Sequence, residues 1–217
     1  MKDPVFDNRS HKKEEAWKEA VFSLYDEVNG SGLEIDQGVR ELVIALNLNG
    51  IPTSSSCEGH AEGNNIRPPY IQGKAEGMPE FRYRGEKEVV ERIISKYGFT
   101  EKTEIYGNDE SKQEYYESTD NLEESDDYKE WYQKNEPLEK EVSLLLEEFN
   151  NEYKDNKLKL HLSPSYPGYR VEVNLGIEYK NKVFTGEDRE KFKSLIIEAQ
   201  GVFSDFKDFL KARYFNK

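Results

Sequence analysis

The chain has 217 residues, enough for one ordinary domain or two small ones, and it is 35% charged with a formal net charge of -13. Its 14 Tyr, 11 Phe and 2 Trp exclude wholesale disorder, which is poor in aromatic residues. The negative charge disfavours direct nucleic-acid binding, which tracks phosphates with a basic face, and the single cysteine, Cys57, excludes an intramolecular disulfide and fits a reducing compartment.

In chain order, the first expected element is a helix over "SHKKEEAWKEAVFSLYDEVNG". Ser10 is its candidate cap, Trp17, Val21, Leu24 and Val28 recur at helical spacing, and Asn29-Gly30 stops it. A second helix follows Asp36, a candidate N-cap, with Val39, Leu42, Val43 and Leu46 forming an apolar stripe. "IPTSSSC" then reads as a short strand, "EGHAEGNNIRPP" as a loop, and "YIQGKA" as a second strand that "FRYR" extends. "EKEVVERIISKYG" has a helical apolar face and "FTEKTEIY" alternates like a strand.

Residues 109–130 contain ten acids and two lysines and so carry -8, leaving -5 for the other 195 residues. Such a run is expected to be a solvated acidic loop or linker, spanning 107–130, between two halves of the chain. Its Tyr115, Tyr116, Tyr128, Trp131 and Tyr132 are expected to latch it onto the core or onto a partner protein. The second half opens with a helix that has Pro137 in its first turn. "LKLHLS" and "YRVEVNL" then alternate around "PSYPG", a hairpin signature. Thr185 is a candidate cap for a final helix that Gly201 would interrupt.

Each half thus reads helix, strand, strand, helix, which suggests a pseudo-repeat. The expected fold is a single α+β domain: two hairpins joined in a small antiparallel sheet with helices packed on one face. On the second hairpin Leu158, Leu160, Leu162, Val171 and Val173 would face the helices. Lys159, His161, Arg170, Glu172 and Asn174 would face away, as surface or as the floor of a site. No apolar run approaches the roughly 20 residues of a bilayer span, and no signal peptide is evident, so a cytoplasmic protein without membrane contact is expected.

The chemistry concentrates in "GIPTSSSCEGHAEG", which places Cys57 three residues from His60. Three readings compete with that of a plainly buried cysteine. In the first, Cys57 is a nucleophile whose thiol His60 activates. In the second, Cys57 and His60 bind a metal with His161, Glu58 or Glu62. The four Cys/His residues of the chain include His11 near its N-terminus, so a closed structural zinc site is not expected; an open catalytic site with one or two carboxylates is the alternative, and no metal is assigned. In the third, Thr53, Ser55, Ser56, Glu58 and Gly59 form a turn that holds a small-molecule or nucleotide-like ligand, with Arg67 supplying a cation and His161 approaching from the second hairpin. Neither dinucleotide nor P-loop fingerprints occur.

The segment "LNLNGIPTSSSCEGH", with the "PPY" beyond it, resembles a group of bacterial and phage proteins of unknown activity built around a Ser-Cys-x-Gly-His turn. It also resembles, over about 30 residues, the wybutosine-synthesising tRNA methyltransferase family. Asp36, Asn47, Thr53, Ser55, Ser56, Cys57 and Gly59 match that family's motif, whereas His60 replaces its Arg and Ser54 its second Thr. The resemblance implies S-adenosylmethionine-dependent RNA modification, with a titratable base in place of a fixed cation. The cofactor stays open at this point. The contrasting expectation is a non-enzymatic inhibitor or interaction protein that binds its partner through 109–130.

Overall fold

The structure is a computed structural model that describes residues 8–25, 35–60, 67–165, 167–175 and 186–216. The chain divides into two compact units, one of Met1–Lys74 with Glu136–Lys217, the other of Ala75–Asn135. A helical unit thus interrupts the chain between its two hairpins.

The first unit is α+β. Its helices are α1 (Asn8–Tyr25) and α2 (Gln37–Leu48), and its strands begin with β1 (Ser55–Cys57) and β2 (Tyr70–Gly73). Val28, Asn29-Gly30, Glu62 and Thr185 lie outside the described residues. Helix α1 begins before Ser10, the expected cap. In α2, Val39, Leu42, Val43 and Leu46 are all buried, as their spacing requires.

Strands β3 (Leu160–Pro164) and β4 (Tyr169–Val173) form the second hairpin. All pairings are antiparallel and the strand order is β1-β2-β4-β3, so the hairpins join through their second strands. The register alternates cleanly. Ile71, Val171 and Leu162 share one face with Leu160, Val173 and Tyr169, whereas Tyr70, Arg170, Glu172 and His161 share the other. The first face joins buried residues of α1, α2, the later helix α6 (Asn135–Glu152) and the C-terminal helix α7 (Gly186–Asn216) in one core. Area removed from water by this face is the main stabilising term.

Helix α7 runs unbroken through Gly201. Phe192, Ile196, Ala199, Phe203, Phe206 and Leu210 are buried at alternating spacings of four and three. Gly201 lies on the exposed face, where it costs about 1 kcal/mol of propensity. The continuous apolar stripe outweighs that cost, which corrects the expected interruption.

The second unit contains α3 (Glu86–Tyr97), a 3-10 helix (Lys102–Gly107), α4 (Asp109–Thr119) and α5 (Asp126–Gln133). "FTEKTEIY" is thus not a strand: Glu101 and Glu104 form a reciprocal capping box that winds it. "FRYR" contributes only an isolated bridge between Tyr83 and Glu124. The acidic run is not a loop either. The Asn108 and Ser125 side chains accept the N–H groups of Ser111 and Tyr128, and acids fill both first turns, where the helix dipole favours them. Tyr115, Tyr128 and Trp131 are buried, while Tyr116 and Tyr132 stay exposed.

Glu86, at the start of α3, is 0% exposed. Its carboxylate accepts from Lys102 Nζ at 2.6 Å, Tyr115 Oη at 2.7 Å and the N–H groups of Arg82 and Tyr83 at 2.5 and 2.9 Å. Burial pushes its pKa up, but these donors outweigh it and hold the group below its ordinary 4.5. A depressed folded-state pKa means stability that is present above the unfolded value and lost as pH falls through the folded one. Urea midpoints are therefore expected to fall on acidification below about pH 4.5. Glu86→Gln should cost about 3 kcal/mol at pH 7, by leaving Lys102 unpaired, and the gap to the native chain should narrow in acid.

Candidate functional site

The turn after β1 is clamped from two helices. Asp36 stands at the N-cap position of α2, yet its side chain makes no bond to its own helix. Asp36 Oδ2 instead accepts the Glu58 N–H at 3.0 Å, and Glu58 Oε2 accepts the Gly38 N–H at 2.8 Å. This is a capping box closed between distant segments: the carboxylate of Glu58 satisfies an orphan donor of α2, and Asp36 holds the turn in return. From the other side Gln200 of α7 donates to the Glu58 carbonyl at 3.0 Å.

Gly59 sits at φ +88, and a Cβ there would lie 2.8 Å from Pro69 Cδ and 2.9 Å from Pro69 N. Its place in the motif is thus required twice, by backbone hand and by space. Beyond it, the His60 N–H donates to the Arg67 carbonyl and the Arg67 N–H to the His60 carbonyl, both at 2.8 Å. That bridge fixes His60 and leaves the Arg67 side chain exposed.

Within this frame the carboxylate of Asp36, the thiol of Cys57 and the imidazole of His60 converge, with one donor atom of each lying within 4.8 Å of the others. His60 Nε2 is 3.6 Å from Asp36 Oδ2. Cys57 is only 6% exposed, and its Sγ accepts the Gly59 N–H at 3.4 Å. Burial pushes the thiol pKa up, and the adjacent Asp36 carboxylate adds to the rise, while the Gly59 N–H and Arg67 oppose it. This is the reverse of the lowered thiol pKa that a resting nucleophile requires.

The other expected residues divide. Thr53 is engaged within the chain, since its N–H and Oγ1 both donate to Asn47 Oδ1, at 3.0 and 3.1 Å. Ser55 Oγ and Tyr70 Oη pair at 3.3 Å, and Ser56 lies opposite Ile71 on the helix-facing side of the sheet. Glu58 serves the helix cap. His161 does not reach Cys57. The register runs Cys57, Tyr70, Glu172, His161 across four strands, so three strand spacings, about 14 Å, separate the first from the last. His161 Nδ1 is buried, with no hydrogen-bond partner among the described residues.

Three residues beyond the sequence reading complete the site. Asp36 was expected only as a helix cap, and its matching position in the Thr-Ser-Ser-Cys motif was the available signal. Gln200 gave none. Tyr70 is the cross-strand partner of Cys57, and the Arg170 guanidinium lies 3.7 Å from its ring centroid while also pairing with Glu172. Together they form a flat, half-buried polar platform that starts beside the three-donor corner.

Basic residues of α3 and the segment before it offset part of the charge of the acidic run. Glu114 pairs with Lys96 at 2.6 Å, Glu124 with Arg82 at 2.8 Å and Asp126 with Arg84 at 2.7 Å. An open depression of about 400 Å³ between α6 and α7 is lined by Glu148, Glu152, Phe209 and Arg213 and holds none of the expected site residues. No helix among the described residues is long and apolar enough to cross a membrane. No protein-family model, curated protein or solved structure matches the chain.

Gly59→Ala is expected to cost about 2–4 kcal/mol, from the left-handed backbone and the collision with Pro69 together. Urea denaturation measures this. A loss below 1 kcal/mol would show that the turn relaxes away from Pro69.

Proposed function

We propose that the protein binds a small-molecule or nucleotide-like ligand on the Tyr70–Arg170 platform and acts on it at the Asp36–Cys57–His60 corner. The convergence of carboxylate, thiol and imidazole carries this reading. These side chains come from the start of α2, the end of β1 and the turn beyond it, and their clustering needs four separate backbone and side-chain anchors. Plain burial of a cysteine needs none of them. The platform supports the planar character of the ligand: a guanidinium stacked on a phenol ring presents a flat, polarisable surface of the kind that holds bases and purine-like rings.

The resemblance to the tRNA methyltransferase family gives S-adenosylmethionine a place among the candidates. Asp36 and Cys57, two of its matched residues, meet in the corner, and Asn47 and Thr53, two others, bond to each other. Whole tRNA is not the favoured ligand, because the chain carries -13 and the corner holds a carboxylate.

Titration of the isotope-labelled chain with nucleoside monophosphates and S-adenosylmethionine, followed by amide NMR, tests the reading. At least one ligand is expected to shift the resonances of Cys57, Tyr70 and Arg170. Tyr70→Ala should then weaken binding by about tenfold or more, since stacking on one ring is worth about 1–3 kcal/mol. Silence of the whole panel at millimolar concentration, or binding that Tyr70→Ala and His60→Ala leave unchanged, would refute it.

A further inference from the structure

From the geometry of the same corner we infer that Asp36, Cys57 and His60 are three protein ligands of a divalent transition-metal ion, zinc-like in preference, whose fourth position stays open. The inference rests on the corner being the working site and names the cofactor it uses.

The distances favour a metal over a proton relay. At 3.6 Å the Asp36 Oδ2–His60 Nε2 pair is too long for a good hydrogen bond. Nitrogen and oxygen bonds of 2.0–2.2 Å set tetrahedrally place neighbouring donor atoms roughly 3.3–3.6 Å apart. The pair therefore already spans one edge of a zinc tetrahedron, and the remaining donor separations, all within 4.8 Å, need only a modest contraction.

The arrangement is also three-cornered rather than linear. In a nucleophilic triad the carboxylate touches the imidazole and stays away from the thiol. Here the Asp36 carboxylate meets both partners. A divalent ion between them engages the carboxylate and the sulfur at once, the sulfur binding as thiolate with release of its proton.

Outer contacts fit the same role. The Glu58 N–H orients the Asp36 oxygen and the Gly59 N–H points at the Cys57 sulfur, as hydrogen bonds to ligand atoms do in metal sites. His60 and Asp36 are part-exposed, so an ion can enter from their side although the sulfur is buried. Of the donors expected from the sequence to complete a metal site, Glu62 lies outside the described residues and the other two do not do so. His161 is three strands away and Glu58 caps α2. Sulfur, nitrogen and one carboxylate oxygen suit zinc rather than magnesium or calcium, and three protein ligands leave room for water or substrate.

The test loads the chelator-treated full chain with Co2+ and then displaces it with Zn2+. About one equivalent of cobalt should bind and give a sulfur-to-cobalt charge-transfer band in the near ultraviolet, which zinc abolishes. Cys57→Ser should remove that band. His60→Ala should weaken binding by at least roughly a hundredfold, since loss of mere outer-shell partners costs 10–100-fold. Circular dichroism checks that both variants stay folded. Absence of the band in the folded native chain, or a band that survives Cys57→Ser, overturns the inference.

The two readings fail separately. Cobalt bound through Cys57 and His60 with no planar ligand captured leaves the metal site standing and removes the nucleotide-like substrate. A planar ligand bound by a chain that takes up no cobalt does the converse.

Discussion

The reciprocal link between Asp36 and Glu58 is the constraint on which the candidate site depends. An N-terminal helix end leaves orphan N–H donors, and the usual remedy is local. In this protein the remedy comes from 20 residues away, through Glu58 Oε2 on Gly38, and the displaced Asp36 side chain is thereby free to hold the turn after β1. Helix formation and turn geometry become a single event. A carboxylate at a helix N-terminus also gains from the dipole, so the contact is favourable electrostatically as well as by hydrogen bonding. Gly38 makes the approach feasible, since a Cβ there would lie 2.6 Å from Glu58 Oε2.

The sheet positions what surrounds that corner. Joining two hairpins through β2 and β4 places these two strands, paired on both sides, at the centre and leaves β3 and the short β1 as edges. An edge strand of three residues exposes little unpaired backbone, which limits unwanted strand addition. At the far end of the sheet the packing is tight. A Cβ on Gly73 would lie 2.0 Å from the Pro52 carbonyl, to which Tyr169 Oη donates. The polar face that results is continuous from Cys57 to His161, yet strand spacing keeps its two ends apart. Proximity in an alternating pattern is therefore a statement about face, not about distance.

The helical unit obeys a different economy of forces. Its apolar cluster is small, Val90, Ile93, Ile105 and Tyr115 with partly buried neighbours, and its specificity comes from a buried carboxylate that accepts from four donors. Two of those donors are on the loop before α3, one is on the 3-10 helix and one on α4, so a single charge ties these segments together. The surface acids that dominate the composition act mostly as helix caps and ion-pair partners.

What the sequence determined by itself was whatever depends on local periodicity. The stripes of α2 and α3 and the alternation of β3 and β4 follow from residue spacing, because a helix or strand buries one face whatever lies beyond it. The acidic segment misled because net charge is a property of composition, whereas buried aromatics, Tyr115 on α4 and Tyr128 and Trp131 on α5, decide whether a charged run folds. The glycine–cysteine–histidine turn stood out for its residue types, but its meaning did not. Only the tertiary structure set His161 three strand spacings from Cys57, brought Asp36 and Gln200 to the turn, and placed the Glu58 carboxylate on the start of α2. Those decisions rest on backbone register and on helix ends meeting across long stretches of chain, and short-range pattern carries no record of either.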